Sequence, residues 1–481
     1  MVTEPDPSAL SSAEKDALII ALFKQVQSVS AQNHSLTVRI QELEARLAMN
    51  SRNSSKPPSS DGYNKPSPKS SRGTSTRRSG GQPGHEGRTL KQVAHPDQVV
   101  QHPVAVCGEC GESLQHCPVA VIERRQVFDL PAIQVSVTEH QAEVKVCPCC
   151  QSRTRGRFPE SVTQAVQYGP RVQGLIGYFS QYQMLPHARL QEVFAQVYGI
   201  ALSQGTIDNV LGRCHTQLEG FEQAVKEMLT GSAVIHVDET GMRVVSALHW
   251  LHVVSTAQAA YYAMDDKRGQ EAMERMGVLP AFKGSAVHDH WQSYFVYACQ
   301  HGMCNAHHLR ELRYAVEGYQ QSWAGKLIVL LLAAKAAVEE AQARGEGALS
   351  EERIGHWESC YREILKAGEE EMPPAPESTG RRGRVKQHKV KNLHDRLVER
   401  EVATLAFIRD FSIPFDNNMA ERDLRMAKVK QKVSGCFRSL AGAQRFARIR
   451  GYVMTAKKQG IGLFDAFVKV FEGNPFIPQA P

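Results

Sequence analysis

Cys107-Gly-Glu-Cys110 and Cys147-Pro-Cys-Cys150 are two C-x-x-C units separated by segments of strand composition. Few features restrict a fold as strongly. Paired thiols in tight turns, here favoured by Gly and Pro, put four sulfurs around one tetrahedral Zn2+. Cys107, Cys110, Cys147 and Cys150 are the expected ligands, with Cys117 and Cys149 as spares. Four sulfurs leave no open coordination position, so the expected zinc is structural. A set of buried thiols is the plainer alternative. The unit is expected at 99–158, with strands at Val121–Phe128 and Ile133–Val146.

Upstream, residues 14–49 carry a heptad. Ile19, Val26, Asn33, Ile40 and Leu47 form one set, and Leu22, Val29, Leu36 and Leu43 the other, offset by three as a and d positions are. A coiled-coil dimer is expected, against an amphipathic helix packed on its own chain. From residue 50 the character changes. Asn53-Ser-Ser-Lys-Pro-Pro-Ser-Ser-Asp-Gly62 and Gly80-Gly-Gln-Pro-Gly-His-Glu-Gly87 are rich in turn formers and lack periodicity. Residues 50–98 are therefore expected as a basic linker that buries no core.

Charge matters here by location. Nine basic and two acidic residues lie between Arg52 and Lys91, and eleven basic and one acidic between Arg422 and Lys458. Both stretches suit a phosphate backbone; solvated linker and helix faces are the bland readings. No apolar run reaches the roughly 18 residues of a membrane span, and the N-terminus lacks the pattern of a signal peptide. A cytoplasmic chain without membrane partners is expected, in which the eleven cysteines serve as metal ligands or free thiols.

Residues 159–231 read as helical. Leu190–Val197, a turn through Gly199, and Ser203–Leu211 with Ser203 as N-cap resemble a DNA-reading helix–turn–helix, although an ordinary helical hairpin has the same pattern. From 232 to 307 apolar strands alternate with short helices: Ala233–Val237, Trp250–Ser255, Ala259–Met264, Ser285–His288 and Gly302–Ala306, with a helix near 269–276. That pattern predicts a mixed α/β sheet. Residues 308–410 read as helical apart from a Pro-rich, then basic, loop at 373–392. Residues 411–460 carry a helix and the basic region, and 461–481 read as a C-terminal tail.

Three carboxylates stand out. Asp238 ends Val234-Ile-His-Val-Asp238, Asp289 ends Ala286-Val-His-Asp289, and Glu421 lies in Phe415-Asp-Asn-Asn-Met-Ala-Glu421, a turn leading into a helix. Carboxylates at two strand ends and on a helix can converge on two divalent cations that clamp a phosphodiester displacement. Mg2+ suits such a site, with Mn2+ as its substitute. Taken singly, Asp238 reads as a turn residue, Asp289 as an N-cap and Glu421 as the partner of Arg425. Lys428 falls two turns after Glu421 on the same face, placed for a DNA phosphate; Arg422, Arg425, Lys432 and Arg438 complete the expected nucleic-acid contacts. His288, His290, His307 and His308 could suggest a zinc-hydrolase site, but packing or support of the metal ligands is the expected role.

These residues resemble the insertion-sequence-66 family of transposases, part of the wider Asp–Asp–Glu group. The resemblance is carried by the segments quoted above, by Asp238-Glu-Thr-Gly-Met-Arg-Val244 and by Cys304-Asn-Ala-His307. Most specific are Pro414-Phe-Asp-Asn-Asn-Met-Ala-Glu-Arg-Asp-Leu-Arg425, Lys430-Gln-Lys432 and Ser434-Gly-Cys-Phe-Arg438. It implies a multidomain α+β chain with a ribonuclease-H-like core, a helical insertion between Asp289 and Glu421, and those two residues with Asp238 as the triad. It also implies strand cleavage by water, then transfer of the 3′-hydroxyl to target DNA. Double-stranded DNA and a second copy are the expected partners, with helper proteins as further candidates. His290 and Met242 depart from the family's usual residues, which puts pocket detail in doubt. Two other functions compete: a ribonuclease-H-like nuclease that cuts without joining, and a zinc-ribbon DNA-binding regulator with an inactive α/β domain.

Overall fold

The computed structural model describes residues 11–54, 89–372 and 387–479. Most of the expected basic linker, and the segment 373–386, lie outside the described residues. Helix α1 spans Ser12–Leu47 and starts at a capping box: the Glu14 N–H donates to the Ser11 hydroxyl and the Ser11 N–H to the Glu14 carboxylate. Its heptad side chains, Ile19 through Leu47, are exposed. The C-terminal end of α1 docks on the chain itself, with Ala45 buried against Gly318 and the Asn53 amide donating to Glu317 at 2.8 Å.

Strands β1 (Val144–Val146) and β2 (Arg153–Arg155) form a small antiparallel ribbon. The strands expected at Val121–Phe128 and over most of Ile133–Val146 are not formed. β-branched composition reports a surface that could pleat, yet a strand needs a partner. Here the Gln126 side-chain amide pairs with both the N–H and C=O of Val93, at 2.8 Å each, in place of a ladder.

Helices α2 (Pro170–Gly177, continued by a π-helical turn at Tyr178–Tyr182), α3 (His187–Tyr198), α4 (Gln204–Gln217) and α5 (Glu219–Thr230) follow. Gly199 takes a left-handed φ of 66° between α3 and α4, and the Ser203 hydroxyl caps α4 through Thr206 N–H at 3.0 Å. The chain then builds a five-stranded sheet, β3 (Val234–Val244), β4 (Ala247–Ser255), β5 (Ala260–Asp265), β6 (Ser285–His288) and β7 (Gln300–Met303), with α6 (Gln270–Met276) before β6. The order is β5-β4-β3-β6-β7; β3 to β5 are antiparallel, while β6 and β7 run parallel to β3. Asp238 therefore does not end its strand. β3 continues to Val244 because the hairpin to β4 keeps pairing as far as Val244 and Ala247. What ends near Asp238 is the pairing of β3 with β6.

Helices α7 (Asn305–Tyr319), α8 (Ser322–Ala343), α9 (Glu351–Glu369), α10 (Lys389–Glu399), α11 (Glu401–Thr404) and α12 (Ala406–Arg409) form a helical unit around Trp323, Leu331, Tyr361 and Leu397. Asn305 to Tyr319, expected partly as strand, is helix. Helix α13 (Asn418–Ser434) and helix α14 (Leu440–Lys458) return to the sheet. Period-two alternation divides its faces. Ile235, Val237 and Val254 pack towards α4 and α5, while Met242, Leu251, Val253 and Tyr262 pack under α13 and the start of α14.

The expected tail contains helix α15 (Leu463–Phe471). Its buried Phe467 and Val468 pack on α2, where a Cβ on Gly177 would stand 2.7 Å from the Phe467 ring. Burying a side chain such as Phe467 stabilises by about 1.5–3 kcal/mol. This segment is part of the main core. Among the described residues, no helix is long and apolar enough to cross a membrane.

Candidate active site

On β3 the even-numbered residues face α13. Asp238 lies on that side, and the register of β3 and β6 continues from His236 opposite Val287 to set Asp238 beside Asp289 where the two strands part. The Asp238 carboxylate accepts the N–H of Glu239 at 2.8 Å, and Asp289 accepts the N–H of Trp291 at 2.8 Å. Burial holds the Asp238 carboxyl well above the usual carboxylate range, and the negative charges of Glu239, Asp289 and Glu421 push it the same way. Each of the three expected carboxylates is partly buried. The structure brings them into one electrostatic neighbourhood.

Glu239 points to the other face and was not singled out by its sequence. Its carboxylate is buried, bonds the Tyr294 hydroxyl and pairs with Arg268 at 2.7 Å. The Arg268 guanidinium stacks between Trp250 and Trp291, 4.8 and 3.9 Å from the ring centroids. Through Trp291, this cluster braces the loop that carries Asp289.

Glu421 sits in the first turn of α13, and Asn417 fixes where that helix begins. The buried Asn417 donates its side-chain N–H to Val237 O at 2.8 Å and its backbone N–H to Cys304 Sγ at 3.2 Å; its Oδ1 lies 2.9 Å from a His236 ring nitrogen. One asparagine thus ties β3, the start of α7 and the start of α13 together. Across from Glu421 stand His307, 3.8 Å away, and Arg310, 4.0 Å away. Both distances are too long for hydrogen bonds, and Glu421 Oε1 is a buried atom without a hydrogen-bond partner. Among the described residues, Cys304, His307 and Glu421 have ligand atoms within 4.8 Å of one another.

The four histidines divide. Burial pushes His288 and His308 down to about 3. His288 bonds the His301 ring at 2.9 Å, and His290 stacks on His308 with centroids 4.2 Å apart. These are neutral packing residues. His307 alone of the four faces Glu421.

An anionic cluster beside a partnerless carboxylate oxygen fits divalent cations, since two ions about 3.5–4 Å apart are held by carboxylates spread around them. Along α13, Arg425, Lys428 and Lys432 share the face of Glu421 at helical spacing, with Arg422 beside them, and all are exposed. The Lys428 ammonium donates to Gly241 O at 3.1 Å, which leaves two of its three donors. Exposed Arg438 follows in the loop to α14. The charges of Lys430, Arg438 and Arg445 all reach His187 at the start of α3. The basic stretch and the α3–α4 pair therefore share one side of the molecule.

In the cysteine-rich unit the two C-x-x-C turns repeat one backbone design. Cys107 N–H donates to Glu112 O and Gly111 N–H to Cys107 O; Cys147 N–H donates to Ser152 O and Gln151 N–H to Cys147 O. Gly111 and Gln151 both take positive φ, 74° and 57°. Backbone N–H groups, that of Cys110 foremost, lower the Cys107 thiol, and the Ser152 hydroxyl draws Cys150 down to about 7. Turns that favour thiolates suit zinc. Within each unit the thiols interact, Cys107 with Cys110 and Cys147 with Cys150, but the two pairs do not converge into one tight cluster among the described residues.

No curated protein matches the chain. A model of a family of unknown function matches residues 2–91. A model of the zinc-finger binding domain of transposase IS66 matches residues 105–151, which include all four candidate ligands. A model of the transposase IS66 family matches residues 165–445, more than half of the chain and inclusive of Asp238, Asp289 and Glu421; the chain belongs to that family.

Proposed function

We propose that the chain binds the ends of its element, cleaves DNA strands and transfers the 3′-hydroxyls to target DNA, using Asp238, Asp289 and Glu421. The observation that carries this reading is the meeting of the three charges at the parting of β3 and β6. A sheet of three antiparallel and two parallel strands supports a ribonuclease-H-like core. The three carboxylates would hold two Mg2+ or Mn2+ ions, which when bound clamp the attacking and leaving oxygens of the displacement. Lys428, Arg425 and Lys432 bind the phosphates that approach Glu421, Arg422 and Arg438 extend the track, and the α3–α4 pair lies beside it. The zinc finger is a further DNA-binding element. The test is incubation of purified protein with DNA carrying the element ends and Mg2+ or Mn2+. Nicked and joined products are expected. Nicks without joints would reassign the chain as a nuclease, and binding without nicks as a regulator.

Lys428→Ala is expected to weaken binding to end DNA and to reduce the slope of log affinity against log salt by roughly one charge. Filter binding over a salt series measures it. An unchanged slope would leave Lys428 as the strap that ties α13 to Gly241.

Joining both ends needs two coordinated cuts, and the exposed heptad face of α1 fits a parallel dimer with a second copy. Asn33 occupies an a position among aliphatic residues, where paired amides fix register at some cost in stability. Sedimentation of the 1–50 peptide should show a dimer, and Asn33→Ile a more stable but mixed oligomer. A wild-type peptide that stays monomeric at high concentration would remove the zipper as an autonomous dimeriser.

A further inference from the structure

We propose that Cys304, His307 and Glu421 together form a second way to occupy the Glu421 side of the site, holding one borderline-soft divalent cation of the Zn2+ or Co2+ class in place of a Mg2+ or Mn2+ ion there, with mixed sulfur, nitrogen and oxygen ligands. The assignment rests on the reading of Glu421 as a cation ligand and names its companions. Three observations support it independently of the family.

The first is proximity across the chain. Cys304 and His307 flank the first turn of α7, one helical turn apart, while Glu421 comes from the first turn of α13; their ligand atoms lie within 4.8 Å of one another. The second is the lack of other employment. Glu421 Oε1 is a buried atom without a hydrogen-bond partner, as is His307 Nδ1, while Nε2 of the same ring is the nitrogen that faces Glu421. A His–carboxylate pair serving only structure would close to a hydrogen bond, whereas these groups stand 3.8 Å apart, a spacing that an ion between them would bridge. The third is the scaffold. Cys304 N–H donates to His288 O at 2.9 Å, Cys304 Sγ accepts the Asn417 N–H, and Asn305 is bonded to Phe415 O and Thr404 O at 3.0 Å each. Such outer bonds orient metal ligands. Cys304 is buried, while His307 and Glu421 are 24% and 28% exposed, so an ion has a path in from solvent.

The donor set decides the ion. Thiolate and imidazole select Zn2+ or Co2+ over Mg2+, which prefers oxygen ligands and keeps its waters. Three protein ligands leave a coordination position open, as four finger thiols do not.

The experiment titrates Co2+ into the full-length chain with zinc already seated in its finger and no excess metal present. One further equivalent should bind, with the sulfur-to-cobalt charge-transfer absorption of a single thiolate. Cys304→Ser should abolish that band, and His307→Gln should weaken Co2+ binding by at least the roughly 10–100-fold that loss of an outer partner costs. Cys436→Ser, at an exposed cysteine, should leave the band unchanged. A wild-type protein without the band, or a band that survives in Cys304→Ser, overturns the proposal. Neither result depends on DNA cleavage. Absence of the band with Mg2+-dependent cleavage intact would remove the mixed site and spare the triad; a band in a protein that never nicks DNA would do the reverse.

Discussion

Asp238→Asn is expected to lower strand cleavage by at least about 10³-fold and, in metal-free buffer, to make the chain more stable. Both effects follow from one arrangement. Asp238 sits with Glu239, Asp289 and Glu421 around it, in a partly buried place where its own charge is unwelcome until cations arrive. An interaction that clamps a transferring phosphoryl group contributes several kcal/mol to the transition state, and each 1.36 kcal/mol is tenfold in rate. Asp289→Asn and Glu421→Gln should lose cleavage similarly, with end-DNA binding nearly unchanged because the phosphate contacts are separate. The stability effect has a definite sign. A carboxyl whose folded pKa lies above its unfolded value favours the native state below about pH 4, and that contribution is lost as pH rises through the folded value. The wild type without metal should therefore lose stability as pH rises through that window, and Asp238→Asn should not share this loss. At neutral pH the variant should gain roughly 0.5–2 kcal/mol, the usual scale for relieving a functional site. Thermal melts across pH, with and without Mn2+, measure it. A variant that cleaves at the wild-type rate removes Asp238 from the triad. A variant that melts no higher than wild type without metal removes the claim of charge strain.

Chelation of zinc is expected to unfold residues 105–151 completely while the α/β core keeps its melting temperature. No residue from 89 to 172 is buried among those described, and Val119, Val121, Val127, Leu130 and Val137 are all exposed. A unit that buries so little apolar surface cannot offset the entropy of ordering its own chain. The binding energy of structural zinc, about 10–16 kcal/mol in finger peptides, is then its folding energy. Cys107→Ser and Cys150→Ser should act like the chelator, each removing a thiolate that its turn prepares. Limited proteolysis should cut between the two cysteine pairs only in the zinc-free protein, and metal analysis should give one zinc per chain for the finger. Cleanly purified protein without zinc, or a finger region equally protected after chelation, would contradict this account.

Sequence by itself determined what is local. Cysteine spacing, the left-handed Gly199 before the Ser203 cap, and the short strand Ser285–His288 all act within a few residues, so they could be read along the chain. It also named Asp289 and Glu421 from a strand end and a helix start, which are short-range signals, whereas Asp238 was named as a strand end that it does not occupy. The tertiary structure decided the rest. Asp238 lies mid-strand because β4 supplies hydrogen bonds past the point where β6 leaves, and one strand's composition does not reveal which neighbour continues. The exposed strands expected in the finger are not formed because propensity needs a partner. α15 joins the main core because α2, nearly three hundred residues earlier, offers small residues for Phe467 and Val468 to cover. Asn417 reaches His236 and Val237 across 181 and 180 residues of sequence. The meeting of Cys304 and His307 with Glu421 is of the same kind: each residue is ordinary in its own segment, and only the packing of α7 and α13 at the end of the sheet puts a thiol, an imidazole and a carboxylate in reach of one ion.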